Sequence, residues 1–181
     1  MSMKLTDIGL KDKAAWEKAG VVLPAYDREA MKQKTATEPV WVHFGAGNIF
    51  RGYIANLQNR LLNEGLAEKG IIAVDSSDGD QIAKVYHPFE NLTMLVSLYA
   101  DGSAKKEIVA SVAEAVHADW GKADQLARLK EIFCSPTLQL CSFTITEKGY
   151  AVKDFDAEEP DAPKSVMAKV PALSMNASRP G

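Results

Sequence analysis

An α/β fold with a mostly parallel sheet is what this sequence predicts, and three observations lead there. Val40-Trp41-Val42-His43-Phe44 is a run of apolar and β-favouring residues that enters a Gly45-Ala46-Gly47 turn. A helical pattern opens directly after the turn, with Phe50, Ile54, Leu57 and Leu61 on one side and Arg51, Asn56, Asn59 and Arg60 on others. Ile71-Ile72-Ala73-Val74 then reads as a second short buried strand, and it ends on Asp75. Strand, glycine turn, helix, strand and acid in that order form a βαβ unit of the Rossmann-like kind.

The chemistry of that unit follows from its turn. Gly45 and Gly47 fit the first two glycines of a dinucleotide fingerprint, in which a tight turn brings backbone to a pyrophosphate and helix N–H groups face its charge. The third glycine is missing, and Phe50 stands in its place. On the two glycines alone, a plain strand-to-helix turn is an equal reading; the flanks favour the nucleotide. Asp75 stands 25 residues after Phe50, close to the roughly 20 at which an acid meets the adenosine ribose. There its charge would repel a 2′-phosphate and favour NAD over NADP. A turn or helix-cap role for Asp75 is the alternative.

Composition narrows the class. The chain has 181 residues, 46% of them hydrophobic, which suffices for a real core. A net charge of −3 gives no long-range attraction to nucleic acid or to acidic membranes. No run approaches the roughly 18 apolar residues that span a bilayer, and the mixed-charge start carries no secretory pattern. The expected location is the cytoplasm, with no nucleic-acid or membrane partner. Cys134 and Cys141 lack metal or disulfide spacing and are expected to be small buried residues. No metal site is expected; Ser76 to Asp80 lacks the ligand alternation of a calcium loop.

The remaining elements follow in order. Leu10 to Ala19 is a short helix ended by Gly20, and Lys32 to Pro39 is a polar linker. In the first strand, Val40, Val42 and Phe44 alternate with Trp41 and His43, and His43 is expected to be a hydrogen-bonded core or edge residue rather than a catalytic one. Asn48 is the expected N-cap of the next helix, and Gly65 stops it. Gln81 to Tyr86 is a short helix stopped by Pro88. Leu92 to Tyr99 and Glu107 to Val116, joined through Asp101-Gly102, form an added β-hairpin. Ala123 to Phe133 is an amphipathic helix ended by Pro136. Leu138 to Thr146 is a strong strand running into Glu147-Lys148-Gly149-Tyr150, so Thr146, Glu147 and Lys148 would share a rim with Gly45 and Asp75.

Gly-Ala-Gly-Asn-Ile-Phe-Arg-Gly at 45–52, preceded by Tyr26-Asp27-Arg28 and followed by Thr-Ile-Thr-Glu-Lys-Gly-Tyr at 144–150, resembles the N-terminal domain of the polyol-specific long-chain dehydrogenases. That family includes mannitol dehydrogenase, fructuronate reductase and tagaturonate reductase. The resemblance implies NAD bound at Gly45, Gly47, Asn48, Ile49, Phe50 and Arg51, with Asp75 near the ribose. It places Thr146, Glu147 and Lys148 near the nicotinamide. It also accounts for Phe50, since these enzymes tolerate a large residue there with an Arg beside it. It implies hydride transfer with a sugar alcohol or hexuronate, the look of the glycine motif leaning towards fructuronate and mannonate. The resemblance places the acid/base lysine in a helical C-terminal domain that these 181 residues are expected not to reach, so no catalytic residue is assigned. The expected layout is an extension and linker at 1–39, an NAD-binding Rossmann-like domain at 40–158 and a truncated linker or tail at 159–181. Because 174–181 departs from the family pattern, a frameshift near residue 173 is expected, with a flexible natural tail as the alternative. A stand-alone NAD-binding or redox-sensing module is the rival function.

Overall fold

The fold was taken from a computed structural model, which describes residues 3–76, 79–119 and 121–144. Its centre is a four-stranded parallel sheet in the order β6-β3-β2-β7, made of β2 (Trp41–Phe44), β3 (Ile71–Asp75), β6 (Val112–His117) and β7 (Leu140–Phe143). β3 is buried along its whole length, which explains its unbroken apolar run: both faces of a parallel sheet are covered. On one face Val42, Phe44, Ile72 and Val74 pack against Leu129 and Ile132 of α4 (Ala123–Cys134). On the other, Ile71, Ala73 and Val112 meet Phe50, Ala55 and Tyr86. The chain travels from β2 through β3 to β6 on one side, then returns to place β7 on the other. The carboxyl ends of β2 and β7 are therefore a topological switch point, where open α/β sheets bind ligands.

A smaller sheet, β1-β5-β4, holds β1 (Val21–Val22) parallel to β5 (Ala104–Val109), which pairs antiparallel with β4 (Thr93–Leu98). The expected hairpin is present, with Gly102 at φ +83 in its turn, but its second strand stops at Val109. The run Glu107–Val116 is two strands in two sheets. Between them the Ala110 N–H donates to Asn59 Oδ1 (3.0 Å), the Ala110 carbonyl accepts from Arg28 Nε (3.2 Å), and Ser111 Oγ donates to the Ala55 carbonyl (2.6 Å). Side chains distant in sequence satisfy this backbone, so the ladder can break there.

Two further expectations change. The linker at 32–39 is mostly helix: α2 (Arg28–Thr37) follows α1 (Lys13–Lys18) and is capped by Asp27, whose carboxylate accepts from Ala30 N (3.0 Å). Its polar composition conceals a buried line of Arg28, Met31 and Thr35. Thr35 Oγ1 accepts from Gly70 N at 2.8 Å, tying α2 to the entry of β3.

The helix after the glycine turn also buries a different face. Its first turns include a π segment, Phe50–Ile54, before α3 (Ala55–Asn63), and the Ala55 N–H donates to the Phe50 carbonyl five residues back. The extra residue advances the helix phase by about 100°. Burial therefore runs Phe50, Ala55, Asn59, Leu62, while Leu57 and Leu61 are 43% and 40% exposed. Asn59, 2% exposed, also accepts from Tyr26 OH (2.8 Å). Gly65, at φ +69, ends the helix as expected. Among the described residues no helix is long and apolar enough to cross a membrane.

The phase shift reverses the usual order of mutational sensitivity. Asn59→Ala strands a buried N–H and a tyrosine hydroxyl and is expected to cost about 2–3 kcal/mol, whereas Leu57→Lys should cost less than about 1 kcal/mol. Urea unfolding of both variants checks this, and a larger loss from Leu57→Lys would contradict the observed phase.

Candidate functional site

The glycine turn stands at the switch point. Gly45, at φ +110, adopts a conformation that L side chains rarely reach, and a Cβ there would collide with the Thr144 carbonyl and hydroxyl. A Cβ on Gly47 would instead project into open space, so its absence keeps the mouth of the turn clear.

Every carbonyl of the turn has a donor. Gly45 O accepts from Thr144 Oγ1 (3.1 Å), Ala46 O from Tyr86 OH (2.8 Å) and Gly47 O from the Arg51 N–H (3.1 Å). The Gly45 N–H donates to Val74 O (2.9 Å), which fixes the turn to β3. Among the described residues the amides of Ala46 and Gly47 have no partner. The first helical bond is Arg51 to Gly47, so the amides of Asn48, Ile49 and Phe50 are those that a helix N-terminus leaves unmet. Donors without acceptors are thus gathered at one spot, as an anion requires.

The side chains distribute differently from the sequence expectation. Asn48 lies inside the first helical turn, and its oxygen accepts from the Arg51 guanidinium rather than from a backbone N–H. Ile49 is exposed. Phe50 is fully enclosed, stacked on His43 at 4.2 Å and 9°, so only its backbone faces the mouth. The ring fills the space that a third glycine would close by direct helix–strand contact, and the π segment begins at it. Arg51 lies over the Tyr86 ring at 5.9 Å.

Asp75 ends β3, beside the turn, with its carbonyl accepting from Ala118 N (2.7 Å) and its register partner His117 on β6. Thr146, Glu147 and Lys148 lie outside the described residues; the described end of β7 runs up beside Gly45 through Thr144. Thr144 and Tyr86 are the residues that sequence reading missed: nothing in the local pattern marks Tyr86 as touching a turn 40 residues earlier.

His43 is a core residue, as expected, within a chain of hydrogen bonds. Trp41 Nε1 lies 2.7 Å from Ser142 Oγ, which lies 2.8 Å from His43 Nδ1; His43 Nε2 lies 3.0 Å from Thr144 Oγ1. The Gly45 carbonyl can only accept, so the Thr144 hydroxyl donates to it and accepts from His43 Nε2–H. Burial pushes the His43 pKa down to about 4 against a smaller upward pull from the Gly45 carbonyl, so near neutral pH the imidazole is uncharged and its bare Nδ1 accepts from Ser142. The cysteines correct an expectation: Cys134 is exposed, and only Cys141 is partly buried, its thiol pushed up to about 11 by burial. Among the described residues no three metal-ligating side chains cluster.

His43 makes folding pH-dependent. Its folded pKa lies below the unfolded value of 6.5, so its contribution is intact above 6.5 and is lost as pH falls towards about 4. The stability difference between the wild type and His43→Gln, measured by urea unfolding, should rise with pH across that window with a slope approaching one proton. A flat difference would mean that His43 is not held neutral.

No family model matches the chain. It is 42% identical over 187 aligned positions to a D-mannonate oxidoreductase of Thermotoga maritima, covering 94% of this chain and 34% of that protein. It is 31% identical over 144 positions to a polyol:NADP oxidoreductase of Gluconobacter oxydans, covering 77% of this chain and 28% of that one. The chain therefore spans about a third of the length of these relatives. Among solved structures, a mannitol 2-dehydrogenase of Pseudomonas fluorescens, in ternary complex with NAD and D-mannitol, matches its fold with a TM-score of 0.74 at 23% identity, over 99% of this chain and 37% of that one. Glycine turn, switch point and sequence similarity together make this chain the counterpart of the N-terminal Rossmann region of the polyol-specific long-chain dehydrogenase family.

Proposed function

We propose that the chain supplies the NAD-binding part of a cytoplasmic oxidoreductase acting on a sugar alcohol or a hexuronate, and that it is catalytically incomplete by itself. The observation that carries this reading is the turn at 45–47, whose carbonyls are held by donors while its amides converge at the switch point. In this reading the amides of Ala46 and Gly47 and those of Asn48, Ile49 and Phe50 meet the diphosphate, and Arg51 adds positive charge beside it. The open space over Gly47 and the buried Asp75 on the adjoining strand suit a diphosphate next to a ribose. Bound NAD would accept or return a hydride. The chain's own residues bind and orient it, with Thr146, Glu147 and Lys148 towards the nicotinamide. The extension at 1–39, the coenzyme domain at 40–158 and the tail at 159–181 remain the proposed layout.

The relative named for D-mannonate supports the hexuronate over the simple polyol, since its identity is the higher of the two. The relative named for NADP makes coenzyme preference worth measuring. A carboxylate at Asp75 favours NADH, because a 2′-phosphate would bring like charges together.

Isothermal titration of the 181-residue chain with NADH and NADPH tests the reading. NADH is expected to bind more tightly, Asp75→Ala to weaken NADH about tenfold and to narrow the gap to NADPH. Neither fructuronate nor mannonate should be turned over. Absence of heat with NADH at millimolar concentration would overturn the coenzyme assignment, and turnover by the chain alone would overturn its incompleteness.

A further inference from the structure

Two side-chain hydroxyls hold the turn from behind, and neither belongs to the glycine motif. Thr144 reaches the Gly45 carbonyl from the end of β7, and Tyr86 reaches the Ala46 carbonyl from the crossover after β3. They approach from different elements, and each is attached to a rigid support. Thr144 terminates the hydrogen-bond chain from Trp41 through Ser142 and His43, and its own hydroxyl can only donate to the Gly45 carbonyl. Tyr86 is 1% exposed, with its ring packed among Phe50, Ala55 and Ala73 and with Arg51 over one face.

A peptide unit has one orientation for both of its ends. Holding the Gly45 carbonyl fixes the plane that carries the Ala46 N–H, and holding the Ala46 carbonyl fixes the plane that carries the Gly47 N–H. The two clamped carbonyls therefore aim the two amides that have no partner among the described residues. We propose that Tyr86 and Thr144 are positioning residues for coenzyme binding, which set the turn amides against the diphosphate by fixing the Gly45 and Ala46 carbonyls. The proposal rests on the coenzyme reading above and adds to it the groups that determine the geometry of the turn.

Tyr26 provides the control. It is a second tyrosine whose hydroxyl makes a 2.8 Å hydrogen bond, to Asn59, away from the turn. Tyr86→Phe, Thr144→Val and Tyr26→Phe each remove one hydroxyl and keep the side-chain shape. Affinity for NADH and for ADP-ribose is read by isothermal titration of the 181-residue chain, with thermal unfolding in parallel and free adenosine, which has no diphosphate, as a third probe by saturation-transfer NMR. Tyr86→Phe and Thr144→Val are expected to weaken NADH and ADP-ribose about five- to tenfold, in line with one hydrogen bond each. Adenosine should bind them as it binds the wild type, and Tyr26→Phe should leave all three ligands unchanged even where its unfolding temperature falls. Equal weakening by all three variants, or unchanged diphosphate affinity in Tyr86→Phe and Thr144→Val, overturns the proposal while leaving the coenzyme reading intact. A wild-type chain that binds neither NADH nor ADP-ribose removes both.

Discussion

A backbone turn can offer its amides to an anion only when its carbonyls are satisfied elsewhere, and this constraint governs the architecture around residues 45–47. Unheld, each peptide could rotate and present a carbonyl dipole, which repels negative charge, at the same place. Here the three carbonyls accept from a threonine on β7, a tyrosine from the crossover after β3 and the first amide of the helix. The parallel order β6-β3-β2-β7 makes this possible because it brings the ends of β3 and β7 to either side of β2.

The replacement of glycine by Phe50 is accommodated through the same region. A glycine at that position lets a helix lie directly on the strand, whereas an aromatic ring needs room. The ring takes that room by stacking flat on His43, and the helix incorporates a five-residue π segment before resuming regular geometry. Two consequences follow in opposite directions along the chain. Towards β2, His43 is sealed from water and held neutral between Ser142 and Thr144. Towards α3, the buried face rotates, so that Asn59 enters the interior and ties the helix to the junction between the two sheets.

That junction shows how side chains set the boundary between sheets. Arg28, Asn59 and Ser111 bond to or from backbone between residues 55 and 110, and they come from a helix, another helix and the junction itself. Arg28 also pairs with Asp7 and reaches the Glu90 carbonyl. The N-terminal segment is thereby fastened to the turn before β4 and to the junction between the two sheets by one buried guanidinium.

What the sequence by itself determined was the unit with short-range periodicity: the βαβ order, the strand from Ile71 to Asp75, α4, and the glycine turn as the place where chemistry would gather. Alternation, apolar runs and glycine conformations are properties of neighbouring residues, so they can be read locally. The N-cap at Asn48, the linker at 32–39, the buried face of α3 and the single strand at 107–116 were decided otherwise. The linker and the strand depend on partners distant in the chain, Gly70 against α2 and Arg28 and Asn59 at the junction, whereas the turn and α3 are set by contacts that carry no periodicity: Arg51 on Asn48 and His43 beneath Phe50. Only the tertiary structure brought Tyr86 and Thr144 to the turn, because a hydrogen bond between residues 40 or 99 positions apart leaves no periodic trace in either segment.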